Sequence, residues 1–344
     1  RRVLFRSVRG GWMLRLLLCA LVAGAMLAPM TVLADEVVVY SARKEHLIKP
    51  LFDRYTDETG ISIRYITDKA GPLLQRLQAE GKRTPADMLI TVDAGNLWHA
   101  AENDVLAEIN SPVLDANVPA NLRDPKGRWF GLSERARTIV YSTERVTPDQ
   151  LSSYEDLADP KWKGRLCLRT SKKVYNQSLV ATLIARHGEE KAEQIVRGWV
   201  ANLAAVPFSN DTKAMEAVAA GQCDVTIVNT YYFGRLQQGQ PDIKLALFWA
   251  NQDSSGTHIN VSGAGVTRHA KHAEAAQKLL EWLSSETAQA EFAGRNMEYP
   301  VNPRVTPDPT VSAWGSFKAD ELNVNEAGRL QAAAIRMMDR AGYR

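Results

Sequence analysis

The chain has 344 residues, 45% of them hydrophobic, with 42 basic and 39 acidic side chains. That length is more than one compact core serves well, so two domains are expected. The formal charge of +3 resides in the first 34 residues: without their five arginines, 37 basic side chains face 39 acidic ones, a net −2 that excludes a nucleic-acid footprint.

Residues 1–34 read as an export signal. Arg1, Arg2, Arg6, Arg9 and Arg15 precede an apolar run from Leu16 to Leu33, and Val32-Leu33-Ala34 suits cleavage before Asp35. Met13 is the natural initiator, which puts residues 1–12 upstream of the start. Arg1-Arg2 faintly resembles a twin-arginine signal, but it lies far from the apolar core. Cys19 lacks a lipobox, and it leaves with the signal. Cys167 and Cys223 remain, and an exported protein with two cysteines holds them as a disulfide or as two buried thiols.

The mature region opens with the apolar run Val37 to Tyr40, which has the character of a buried parallel strand. Ser41 is positioned to cap a helix through Leu47, Leu51, Phe52 and Tyr55, which Gly60 ends. Ile61 to Tyr65 alternates as a strand does, a helix runs from Pro72 to Glu80, and Asp87 to Ile90 is a further strand. This β-α-β-α-β order predicts a sheet containing parallel strands, with helices on its faces. From Trp129 to Val146 the pattern is a long extended segment, of the kind that crosses between two α/β lobes. A second unit follows: strand Gly164 to Leu168, helix Ser178 to His187, strand Asp224 to Val228, strand Leu245 to Trp249. The chain returns through the Gly-rich strand Ile259 to Val266, then a helix from Ala270 to Ser284. A Pro-rich stretch from Pro300 to Pro309 leads to a last helix, Glu321 to Ala341. The expected fold is α/β and two-lobed, hinged like a flytrap, with a parallel-rich mixed sheet in each lobe. Residues 35–134 and 260–304 form lobe 1; residues 135–259 and 305–344 form lobe 2.

Signatures of catalysis are lacking. There is no Gly-x-Ser-x-Gly elbow, no His-Glu-x-x-His and no Walker loop, and the six histidines are scattered. The informative run is Asn229-Thr230-Tyr231-Tyr232-Phe233-Gly234-Arg235. Two adjacent phenols at a strand end face the ligand crevice of an α/β sheet. Phenolate is a hard anionic donor suited to a small, highly charged cation such as Fe³⁺; the alternative is that both rings are ordinary packing. Tyr40 and Tyr175 fall at comparable positions, and Tyr175 is preferred over Tyr141. A phenol with pKa about 10 is neutral at pH 7, so a metal must displace its proton, and a guanidinium nearby helps hold the anion. Arg135, Arg137 and Arg235 are the available cations. Arg135 and Arg137 share one strand face, which leaves them unseparated by sequence.

The segments Tyr40-Ser41-Ala42-Arg43, Ser133-Glu134-Arg135-Ala136-Arg137, Tyr175-Asn176-Gln177-Ser178-Leu179 and Asn229-Thr230-Tyr231-Tyr232 resemble the ferric-ion-binding periplasmic proteins of ABC iron importers. The likeness runs from about Val37 to Pro303. It implies a transferrin-like trap in which Tyr175, Tyr231 and Tyr232 from the second lobe and Tyr40 from the first hold Fe³⁺. It also implies carbonate or another synergistic anion on Arg135, with Arg137 and Arg235 as further choices. Some relatives supply a histidine and a glutamate from the first lobe. The Tyr-Ser-Ala-Arg here has no such pair, which places the chain with the tyrosine-rich subclass. Delivery to an inner-membrane permease by a periplasmic monomer follows from the same likeness. The rival readings are a binding protein for a polyamine, phosphonate or oxyanion, and a secreted enzyme.

Overall fold

The computed structural model describes residues 36–344; the expected signal segment and its cleavage at Ala34 lie outside the described residues. Eight strands form one mixed sheet in the order β2-β1-β3-β8-β4-β6-β5, with β7 also paired to β4. The strands are β1 (Glu36–Ser41), β2 (Ser62–Thr67), β3 (Met88–Val92), β4 (Phe130–Ser142), β5 (Leu166–Cys167), β6 (Val225–Asn229), β7 (Leu245–Phe248) and β8 (Ile259–Val266).

The apolar run of β1 pairs in parallel with both β2 and β3, as a strand buried on two faces should. The helix Glu45–Thr59 then lays Leu47, Ile48, Leu51, Phe52 and Tyr55 onto the sheet, and Gly60 ends it at φ 75°. Ser41 does not cap that helix. It ends β1, and its hydroxyl accepts from the Arg43 amide (3.1 Å), while Lys44 occupies the cap position with no side-chain bond.

Strand β4 organises the molecule. Its first half, Phe130 to Ala136, pairs with β8, and from Arg137 onward it pairs with β6, and from Ile139 with β7. One strand thereby belongs to three hydrophobic cores, one in the first lobe and two in the second. The first gathers residues from Val37 to Leu132 and from Ile259 to Val301, with Val324. The cores of the second lobe draw on residues from Ile139 to Ala250 and from Ala334 to Tyr343. Val324 thus packs with the first core, although the sequence reading assigned 305–344 to the second lobe. Between the named strands of the second lobe only β5–β6 is parallel; β4–β6 and β4–β7 are antiparallel.

The close approach of β8 to β4 depends on missing side chains: a Cβ at Gly263 would sit 2.5 Å from the Phe130 carbonyl oxygen. The expected last helix is two, Asn325–Arg329 and Gln331–Arg340, separated at Leu330. Gly328 lies so near Trp98 that a Cβ there would be 2.2 Å from the indole's own Cβ. Cys167 and Cys223 form a disulfide that ties β5 to the turn before β6.

Candidate metal centre

The helix Thr230–Gly239 starts where β6 ends, so Tyr231 and Tyr232 emerge from the first turn at the sheet's carboxyl edge. Gly234 does not interrupt the helix; instead it admits Met297 Sδ and the Trp314 ring, at 2.6 and 2.8 Å from where a Cβ would stand. The helix Val174–His187 brings Tyr175 to the same edge. All three rings line one cavity of about 400 Å³, with Arg135, Lys173 and Arg235. The Tyr231 and Tyr232 centroids are 4.5 Å apart, and the Tyr231 hydroxyl accepts from Asn229 Nδ2 at 3.1 Å.

The two arginines that share a face of β4 have different fates. Arg137 is saturated: it donates to Asp211 (2.9 Å), to Asn229 (3.1 Å), to Asn176 (2.6 Å) and to the Ile227 carbonyl (3.0 Å). It is therefore a brace between the two tyrosine-bearing elements and has no donor left for a ligand. Arg135, 2% exposed, makes a single hydrogen bond, Nη1 to Ser262 Oγ at 2.9 Å. Its Nε and Nη2 are buried without a partner, beside the Tyr175 ring at 5.4 Å. Unpartnered buried donors are rare and costly, and these two point to an absent acceptor. Arg235 lies over the Tyr231 ring at 5.1 Å and reaches Asn296 of the first lobe.

Tyr40 departs from expectation. Its hydroxyl donates to Glu80 at 2.9 Å, Arg76 sits 4.9 Å from its ring, and it is not among the residues lining this cavity. The alternation of β1 sends its side chain to the helix Ala70–Glu80 instead.

Burial raises the Tyr175 pKa, and it raises that of Tyr231 well above 10, with the neighbouring phenols adding to the effect on Tyr231. Arg135 opposes the shift in both. Without a metal both rings are neutral at pH 7. Beneath Tyr175, Asp93 at φ 80° accepts from Ser178 (3.0 Å), from Asn260 (2.9 Å) and from the Gly95 amide (2.8 Å). A first-lobe carboxylate in a strained conformation is thereby fixed to the helix that carries Tyr175; burial lifts its pKa to about 6. Among the described residues no group of three or more His, Cys, Asp or Glu could hold a metal, so the phenols are the candidate donors.

Residues 83–318 match the family described as bacterial extracellular solute-binding protein. The chain belongs to that family. This binding protein is 43% identical to Iron uptake protein A1 of Synechocystis over 90% of the chain and 88% of the relative. Among solved structures it resembles a Trichodesmium protein in complex with iron and citrate ligands, at 43% identity and TM-score 0.87, covering 90% of this chain and 100% of that one. It also resembles ferric iron-binding protein A of Mannheimia haemolytica in an open conformation, at 36% identity and TM-score 0.84, covering 90% and 99%.

Residues that sequence reasoning did not single out complete the cavity wall: Lys44, Lys69 and Lys173, with Asn296 and Glu298. Glu298 is buried and accepts from Arg43 (3.0 Å), Ser133 (2.5 Å) and Asn296 (2.6 Å). Arg43 stood inside a motif quoted above and Lys173 two residues before another, and their basic character was the available signal.

Proposed function

We propose that this protein binds Fe³⁺ in the interlobe cleft through the phenolates of Tyr175, Tyr231 and Tyr232, and delivers it in the periplasm to an inner-membrane ABC permease, acting as a monomer. The observation that carries the reading is the gathering in one cavity of three phenols, Tyr175 and Tyr231 buried and Tyr232 half-buried, with a guanidinium that has two unpartnered nitrogens. Three phenolates balance the charge of one ferric ion. Arg135 is then free to receive a small anion, carbonate or another, that completes the metal's coordination. Arg137 fixes the positions of Asn176 and Asn229, and so the spacing of the tyrosines on either side. The iron relatives support the cargo.

Hard phenolate donors favour the trivalent ion. Their protons leave as the metal enters, so binding weakens in acid. The test is a visible absorption titration of iron-stripped protein with weakly chelated Fe³⁺, beside a Tyr231→Phe/Tyr232→Phe variant. A saturable charge-transfer band at one iron per chain, lost in the variant, is expected. A folded protein without the band would end the ferric reading and return the tyrosines to cleft packing.

A further inference from the structure

Strand β4 parts from β8 at one rung. The register pairs Arg135 with Asn260 and Ala136 with Ile259, so the next pair is Arg137 with His258. A hydrogen-bonded pair in an antiparallel ladder exchanges both of its N–H···O bonds. Here one of the two is direct, from the Arg137 amide to the His258 carbonyl at 3.0 Å. The other is split by a side chain. The His258 amide donates to the Tyr154 hydroxyl at 3.0 Å, and that hydroxyl donates to the Arg137 carbonyl at 2.5 Å. Ile259 packs in the first-lobe core and Ile139 in a second-lobe core, so the split rung lies on the boundary between the lobes.

Tyr154 is firmly seated for that place. It is 3% exposed and belongs to the same second-lobe core as Ile139. Its amide donates to Asn251 Oδ1 at 3.0 Å, and its carbonyl accepts from the Trp199 indole at 2.7 Å. Burial raises the pKa of its phenol, so the group is a neutral hydroxyl that donates and accepts at once, on a rotatable bond. A direct ladder bond weakens steeply as its two strands tilt apart. A rung relayed through a hydroxyl can turn and stay made.

We propose that Tyr154 is the pivot of the hinge: its hydroxyl, inserted in the last rung between β4 and β8, keeps the two strands joined as the lobes swing and sets the balance between open and closed forms. In the arrangement seen here the lobes meet, Arg235 on Asn296 and Ser178 on Asp93. Without the hydroxyl, the Arg137 carbonyl and the His258 amide are left buried and unpaired in that arrangement. Parting the strands lets water reach both groups, so loss of the hydroxyl favours the open form.

The test compares iron-free wild type, Tyr154→Phe and Thr138→Val by small-angle X-ray scattering. Thr138 is the matched control, because its hydroxyl also bridges two backbone groups, donating to the Phe248 carbonyl (2.5 Å) and accepting from the Ala250 amide (3.2 Å), all within the second lobe. The radius of gyration should rise in Tyr154→Phe and stay at the wild-type value in Thr138→Val. A Tyr154→Phe protein that unfolds more easily but keeps the wild-type radius overturns the proposal, as does an equal rise in both variants. Amide hydrogen exchange in the iron-free wild type needs no substitution: the His258 amide should exchange as slowly as that of Arg137, and a fast His258 amide also overturns the pivot. Neither measurement requires a metal, so failure of the ferric reading would show separately, as an absent charge-transfer band.

Discussion

At the scale of single residues, the site separates groups left open to a ligand from groups that position them. Arg137 belongs to the second kind, and its removal has a clear expected outcome. Arg137→Leu leaves Asp211 buried with Arg169, at 3.5 Å, as its one remaining cation and strips the side-chain oxygens of Asn176 and Asn229 of their donor. Losing one member of a buried pair costs about 3–5 kcal/mol, which urea denaturation should show. Arg135 has no such structural role. Arg135→Gln should leave stability within about 1 kcal/mol of the wild type, because its two unpartnered nitrogens contribute little to the fold. It should nonetheless weaken iron binding by about ten- to a hundredfold in a competition titration, as an anion loses its charged partner. The tyrosine pair and the candidate arginines were legible in the sequence because they lie in short runs beside a recognisable strand. The choice between Arg135 and Arg137 was not, since both point the same way from β4. What distinguishes them is that Asp211 and Asn176, remote in sequence, engage Arg137. Tyr40 misled for the same reason: Glu80, which holds its hydroxyl, is 40 residues away.

At the scale of elements, hydrophobic periodicity was a good guide to existence and a poorer one to boundaries. β8 appears at Ile259–Val266 as its apolar, Gly-rich pattern indicates, and β4 spans the stretch read as a crossover. The break in the last helix was not readable, because it depends on Trp98 pressing against Gly328 from a distant helix. Gly328→Ala should therefore destabilise by about 1–3 kcal/mol, the usual cost of overpacking, although alanine is the better helix former; thermal unfolding would show the sign. The disulfide was left open by the sequence, where two cysteines 56 residues apart give no geometry. Cys167→Ala/Cys223→Ala should lower stability by about 2–4 kcal/mol, and a denaturation midpoint that dithiothreitol shifts in the wild type alone would confirm it.

At the scale of the molecule, two titrations should be visible. Tyr175 and Tyr231 carry raised pKa values, so each must release its proton to bind metal. Iron affinity should fall as pH falls, by as much as about three decades per pH unit if all three ligate; a slope near zero in a competition titration would contradict phenolate ligation. The second titration concerns folding and lies on the strand shared by both lobes. Burial alone lifts the Glu134 pKa to about 7, above its value of 4.5 in the unfolded chain. The folded state therefore binds more protons across pH 4.5–7, and the wild type gains stability as pH falls through that window. Glu134→Gln should be more stable than the wild type at pH 8 by about 1–2 kcal/mol, with the gap closing below about pH 5. Parallel denaturation curves at the two pH values would test it.

The three phenols ride on two helices of the same lobe, Val174–His187 and Thr230–Gly239. If all three ligate, capture and closure would be separate events in time. An ion would then be fully seized by one jaw while the other still stood away, and the swing of the hinge would govern how long the cargo stays rather than whether it is caught. Arrival rates should then be indifferent to substitutions in the crossover strands, whereas residence times should follow them closely. A membrane partner that prises the jaws apart would meet a metal still gripped on one side, and would have to offer ligands of its own to take it.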